Sequence, residues 1–115
     1  MERFVIRKVP TGVKFDVKAA NGETVATSEV YNGEAACRKG IESVRKCAQL
    51  AQIEDEIRGT TASNPKFRLY RDKTGNYRFC LTARNGKVIA ASEGYATHSA
   101  ALAGIESVRK NTAGE

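Results

Sequence analysis

The chain has 115 residues, 41% apolar and 28% charged, a balance that fits one ordinary globular domain and excludes a disordered or collagen-like polymer. No apolar run approaches the roughly 20 residues that a membrane-spanning helix needs. The opening MERFVIRKVP, with an acid at position two and no small-residue cleavage site, does not read as a signal peptide. Formal net charge of +6 points toward an acidic partner, although charge speaks first to solubility and nonspecific attraction.

In chain order, FVIRKV and VKFDVKA alternate apolar and polar residues, the period-2 pattern of half-buried strands, with Phe4, Ile6, Val13, Phe15 and Val17 on one side. Pro10-Thr11-Gly12 supplies the turn between them. Asn21-Gly22, the dipeptide of a type I′ hairpin, leads to a third strand, TVATS. After Tyr31 the period becomes helical, with Cys37, Ile41, Val44 and Ala48 on one face and Asn32 as the expected N-cap. AQIEDEI at 51–57 extends that helix or forms an edge strand; periodicity leaves both open. RGTTASNP at 58–65 reads as a linker.

The same series then returns. FRLYR and YRFCLTA flank Thr74-Gly75-Asn76, Asn85-Gly86 precedes VIAAS, and Ala101, Ile105 and Val108 mark a second helix capped by Thr97. Phe4–Lys46 aligns with Phe67–Lys110 after one inserted residue near Asn76, and GIESVRK occurs at 40–46 and 104–110. The repeat predicts an α+β fold of two βββα modules, 1–57 with an extra strand and 66–115, which share one antiparallel sheet backed by two helices on one face with pseudo-twofold symmetry. Together they should form one compact domain, because a half of this size is marginal alone. Gly40 and Gly104, each beside the apolar helix face, predict a close helix–sheet contact, since glycine there costs about 1 kcal/mol.

Cys37, Cys47 and Cys80 are odd in number and form no CxxC pair, so free thiols and a cytoplasmic location are expected. One histidine, His98, and no clustered cysteines leave no set of zinc ligands, and no cofactor motif is present. His98 is expected as an exposed helix-start residue, because no nucleophile or orienting group accompanies it. Glu54-Asp55-Glu56 lacks the spacing of a calcium loop and reads as a charged edge. Ser28-Glu29-x-Tyr31 and Ser92-Glu93-x-Tyr95 should end the third strands and anchor the helix entries.

The sheet face away from the helices would carry Val5, Arg7, Lys14, Asp16, Lys18, Arg68, Tyr70, Arg78, Cys80, Thr82 and Arg84. Of these, Arg7, Lys14, Lys18, Arg68, Tyr70, Arg78 and Arg84 are the candidate basic binding face. Cations suit phosphates and Tyr70 offers a stacking surface, yet sheets that read RNA usually present two or three aromatics. An ordinary polar-out face explains the same pattern.

TGNYRFCLTARNGKVIAASEGY at 74–95 with GIESVRKN at 104–111 resembles the YegP-like family of small bacterial proteins of unknown function, and the resemblance covers nearly the whole chain. It implies a strand after the first helix that crosses to the partner module, the place of AQIEDEI. The second unit, ending NTAGE, has no counterpart of 51–57, so a lopsided sheet with one unpaired edge is expected. The family has no assigned activity, so the resemblance supplies no catalytic residues. The sequence therefore predicts a noncatalytic binding or adaptor domain for nucleic acid or another acidic partner, a monomer or a weak homodimer through the sheet edge, with a protein–protein or self-association role through the open edge the alternative and an enzyme last.

Overall fold

The period-2 segments become strands and the period-3.6 segments helices across residues 3–113, which the computed structural model describes; Met1, Glu2, Gly114 and Glu115, the ends of the two expected units, lie outside the described residues. The elements are β1 (Phe4–Val9), β2 (Gly12–Lys18), β3 (Thr24–Thr27), α1 (Glu34–Leu50), β4 (Gln52–Asp55), β5 (Lys66–Arg71), β6 (Tyr77–Thr82), β7 (Val88–Ala91) and α2 (His98–Thr112). The seven strands form one sheet in the order β1-β2-β3-β7-β6-β5-β4. The halves join where Thr27 of β3 pairs with Ala91 of β7, close to the pseudo-twofold axis.

Residues 51–57 thus begin with a strand and do not prolong the helix. α1 ends when Ala51 turns extended (φ −68°, ψ 134°), and β4 pairs with β5, the first strand of the other half. That pair is parallel, so the sheet is mixed where an antiparallel one was expected. β4 leaves α1 already pointing along β5, and residues 56–65 return beside it to start β5 in the same direction.

One of the two helix starts follows its expected capping chemistry. Thr97 caps α2, its hydroxyl accepting from Ala100 N at 3.1 Å. Asn32 does not cap α1. The helix begins at Glu34, which puts the extended Gly33 in the N-cap position without a side-chain hydrogen bond.

Both helices lay their apolar faces on one side of the sheet. Phe15, Val17, Phe67, Leu69, Phe79 and Leu81 from the strands meet Cys37, Val44, Ile105 and Val108 in a single buried cluster, while Phe4, Ile6, Val13 and Tyr77 are only partly covered. Each fully buried side chain of this size stabilises the fold by about 1.5–3 kcal/mol. Cys37, Cys47 and Cys80 are all buried and unbridged.

The two helix glycines admit a tyrosine. Tyr31 stacks on Phe15 with ring centroids 6.3 Å apart, and Tyr95 on Phe79 at 6.1 Å. A Cβ on Gly40 would lie 2.5 Å from Tyr31 Cζ and one on Gly104 2.8 Å from Tyr95 Cζ. The close contact expected at these glycines is therefore a tyrosine ring wedged between helix and sheet. Burial pushes both tyrosine hydroxyls above their usual range.

The junction serines act structurally, as expected. Ser28 Oγ accepts from Phe15 N at 3.0 Å and donates to the Glu29 carbonyl at 2.7 Å; Ser92 does the same with Phe79 N and the Glu93 carbonyl.

Candidate acidic-partner interface

β2 and β6 project one side chain in two away from the helices, which sets the composition of the open face. On it, long arginines fold back onto carboxylates. Arg7 reaches diagonally across β1 and β2 to Asp16 at 2.8 Å, and Thr27 Oγ1 also donates to Asp16 at 2.9 Å. Burial works to raise the Asp16 carboxyl, but these hydrogen bonds hold it below its ordinary value. Arg78 binds Asp72 at 2.6 Å and the Ser92 carbonyl at 3.3 Å. Arg68 pairs with Glu56 and lies over the Tyr70 ring at 4.3 Å.

These contacts change the expected basic face. Arg7, Arg68 and Arg78 are present on it, but each is neutralised by a partner. Tyr70 lies on it with one ring face already covered by Arg68. Arg84 is not on the sheet: β6 ends at Thr82, which leaves Arg84 in the exposed turn before β7. Lys14 and Lys18 remain, and neither forms an ion pair among the described residues; Lys18 donates to Thr24 Oγ1 at 2.7 Å. A shallow groove follows the seam between the halves, with Lys14 and its repeat counterpart Arg78 on its walls and Ser92 and Glu93 at one side.

The face is also less solvated than strict alternation implies. Asp16 is 7% exposed and Cys80 4%, since cross-strand arginines cover them.

His98 departs most from its expected place. Its Nε2 lies 2.7 Å from Asp55 Oδ2, with the two side chains only 19% and 8% exposed. The ring meets Tyr77 edge-on at 6.1 Å. It is enclosed because β4, absent from any single-module reading, brings Asp55 over the start of α2. Asp55 also accepts from the backbone N–H groups of Ile57 and Arg58 at 3.0 and 3.2 Å. Burial alone would raise its pKa, yet the hydrogen bonds from His98, Arg58 and Ile57 hold it below the usual value. With His98 Nε2 on one Asp55 carboxylate oxygen and the turn after β4 on the other, the geometry describes a clamp between the halves. No nucleophile adjoins it among the described side-chain hydrogen bonds.

The acidic stretch is likewise internal wiring. Glu54 accepts from Lys66 Nζ and Ala62 N, both at 3.0 Å, and Glu56 holds Arg68. Among the described residues, no group of three or more His, Cys, Asp and Glu side chains is arranged to hold a metal ion. Nor is any described helix long and apolar enough to cross a membrane.

A seven-stranded mixed sheet built from two pseudo-equivalent halves and backed by two helices defines an α+β tandem-repeat domain. This chain belongs to the family described as Domain of unknown function (DUF1508), whose model matches it twice, at residues 12–55 and 72–115. Its relatives include UPF0339 protein YegP of Escherichia coli K12, 39% identical over 98 residues that cover 85% of this chain and 77% of that protein. A UPF0339 protein of Pseudomonas aeruginosa is 34% identical over 111 residues, covering 96% and 89%. The solution structure of YegP from E. coli, a protein of unknown function, superposes with a TM-score of 0.76 at 29% identity, covering all of this chain and 90% of that one. A Shewanella oneidensis UPF0339 structure gives 0.76 at 31% identity, covering 95% and 82%. These relatives are uncharacterised, and none brings a catalytic activity or a specific partner.

Proposed function

We propose that this chain is a noncatalytic binding domain that takes an acidic protein segment on the helix-free face of its sheet, in a reducing, cytoplasmic setting. The observation that carries the reading is the seam groove, where Lys14, without an ion-pair partner among the described residues, faces its repeat counterpart Arg78, with Lys18 on the same strand as Lys14. Nucleic acid is the weaker occupant, because Tyr70, the one aromatic of this face among the described residues, already carries Arg68 on its ring. Three unbridged cysteines favour the reducing compartment.

The test is binding at low salt to a polyglutamate peptide and to a mixed-sequence single-stranded oligonucleotide. The peptide should bind with salt-sensitive affinity, and Lys14→Glu/Lys18→Glu should weaken it at least tenfold. Failure of the wild-type chain to bind the peptide would sink the proposal. Tighter binding of the oligonucleotide, weakened by Tyr70→Ala, would establish nucleic-acid stacking instead.

A further inference from the structure

The two halves of the sheet end differently, and one half displays what the other lacks. β1 and β4 are the edge strands. In the second half, β5 does not form an edge, because β4 lies parallel along it. Glu56 N donates to the Leu69 carbonyl at 2.9 Å, Ile53 packs against the core, and Glu54 accepts from Lys66. Arg109 of α2 holds the entering chain by stacking over Phe67 at 5.4 Å and donating to the Ala51 carbonyl at 2.6 Å.

The groups that receive Ala51, Ile53 and Glu54 have repeat counterparts beside β1, whereas His98 and Arg68, which hold Asp55 and Glu56, are matched there by Glu34 and Val5. Phe4 and Ile6 stand where Phe67 and Leu69 do, Arg3 where Lys66 does, and Arg45 where Arg109 does. Arg45 already adopts the corresponding pose, its guanidinium 4.8 Å over the Phe4 ring. In the β1–β2 ladder, Lys18 N donates to the Arg3 carbonyl, so Arg3, Val5 and Arg7 turn their backbone groups toward β2. Phe4 and Ile6 therefore point N–H and C=O away from the sheet, as Leu69 points its carbonyl at Glu56. Among the described residues no strand takes them. A groove runs along this edge, walled by α1 and the end of α2, and its charged lining among the described residues is Arg3, Arg38, Arg45 and Lys110 against Glu42. The pairs Arg38–Glu34 and Arg45–Glu42 are exposed helical ones, which contribute little and exchange readily.

We infer that the β1 edge and this groove are a docking site for an extended acidic segment of a partner protein, bound as a strand parallel to β1 with the chemistry of β4. An apolar residue would lie opposite Phe4 in the place of Ile53, with a following acid on Arg3 as Glu54 is on Lys66, and Arg45 would donate to the carbonyl two positions before the apolar residue. Four cations against one carboxylate select an acidic strand. The far edge, β4, is only four residues long and itself acidic, and so does not compete. The inference goes beyond the open-face reading and uses none of its residues.

The chain contains its own probe. A blocked synthetic peptide AQIEDEI, the sequence of residues 51–57, is titrated at low salt into the isotopically labelled full chain and followed by backbone amide shifts. Shifts should concentrate on Phe4 and Ile6, and Arg45→Glu should weaken binding at least tenfold. The same peptide N-methylated at the residue equivalent to Glu56 should not bind, which tests strand pairing without altering the protein. Shifts on Phe4 and Ile6 report the edge and shifts on Lys14 and Lys18 report the open face, so failure here and failure of the open-face reading are separable. The inference is overturned if the peptide does not bind, if the N-methylated peptide binds equally, or if shifts fall on β5 or the open face and spare β1. It is also overturned if the chain alone dimerises through β1, which would make a second copy the occupant.

Discussion

Adding one methyl group at Gly104 tests the packing that joins helix to sheet. On an exposed helix, Gly→Ala stabilises by about 1 kcal/mol. Here the new Cβ would stand 2.5 Å from Tyr95 Oη, 2.8 Å from its Cζ and 2.9 Å from Phe79 Cε2. Tyr95 has room to shift toward solvent, but Phe79 is 1% exposed and held by the core. Overpacking of a closed site costs about 1–3 kcal/mol, which offsets the helix-propensity gain of about 1 kcal/mol, so Gly104→Ala should be destabilised by up to about 2 kcal/mol. Gly40 is a matched control, since its three nearest atoms all belong to Tyr31, a half-buried side chain that can tilt. Gly40→Ala should fall within about 1 kcal/mol of the parent. Urea unfolding followed by far-UV circular dichroism measures both, and Tyr31→Phe and Tyr95→Phe complete two double-mutant cycles. Removing the hydroxyl should relieve Gly40→Ala more fully than Gly104→Ala, where Phe79 stays in place. If both alanine variants gain about 1 kcal/mol, as propensity alone dictates, the wedged-tyrosine account is wrong.

Two further outcomes follow from capping and charge. Gly33 is extended (φ −165°), and a Cβ placed on it would meet open space, so in the same urea assay Gly33→Ser should stabilise by a few tenths of a kcal/mol, whereas Thr97→Ala should cost about 1 kcal/mol. Glu54 and Asp55 are both held below their ordinary values of 4.5 and 3.8, Glu54 chiefly by the Ala62 N–H and Lys66. The unfolded chain therefore takes up protons before the folded one does. Stability from these groups is present above about pH 5 and is lost as the pH falls through the depressed folded values; thermal melts down to about pH 2.5 should show it, and Asp55→Asn should flatten part of the slope.

Much of this architecture is legible from local chemistry. Alternation in FVIRKV and YRFCLTA, the Asn-Gly turns and the recurrence of GIESVRK are enough for the strands, the helices and the duplication. These signals are local because hairpin turns and helical faces are decided within a few residues. The basic face is only half legible. Periodicity puts Arg7, Arg68 and Arg78 on one side, but it does not show which carboxylate each long side chain folds onto, and Arg84 falls past the end of its strand.

Contacts far apart in the chain belong to the tertiary fold. AQIEDEI suits a helix or a strand equally, and what makes it β4 is the open hydrogen-bonding edge of β5 beside the end of α1. His98 looks like any helix-start residue until Asp55, 43 positions earlier, closes on it. The β1 edge is the same kind of fact: its residues are ordinary alternating strand, and their exposure follows from the absence, among the described residues, of the strand that covers their counterparts. Sequence patterns specify which groups a segment offers, and the assembled sheet determines which of those groups are taken.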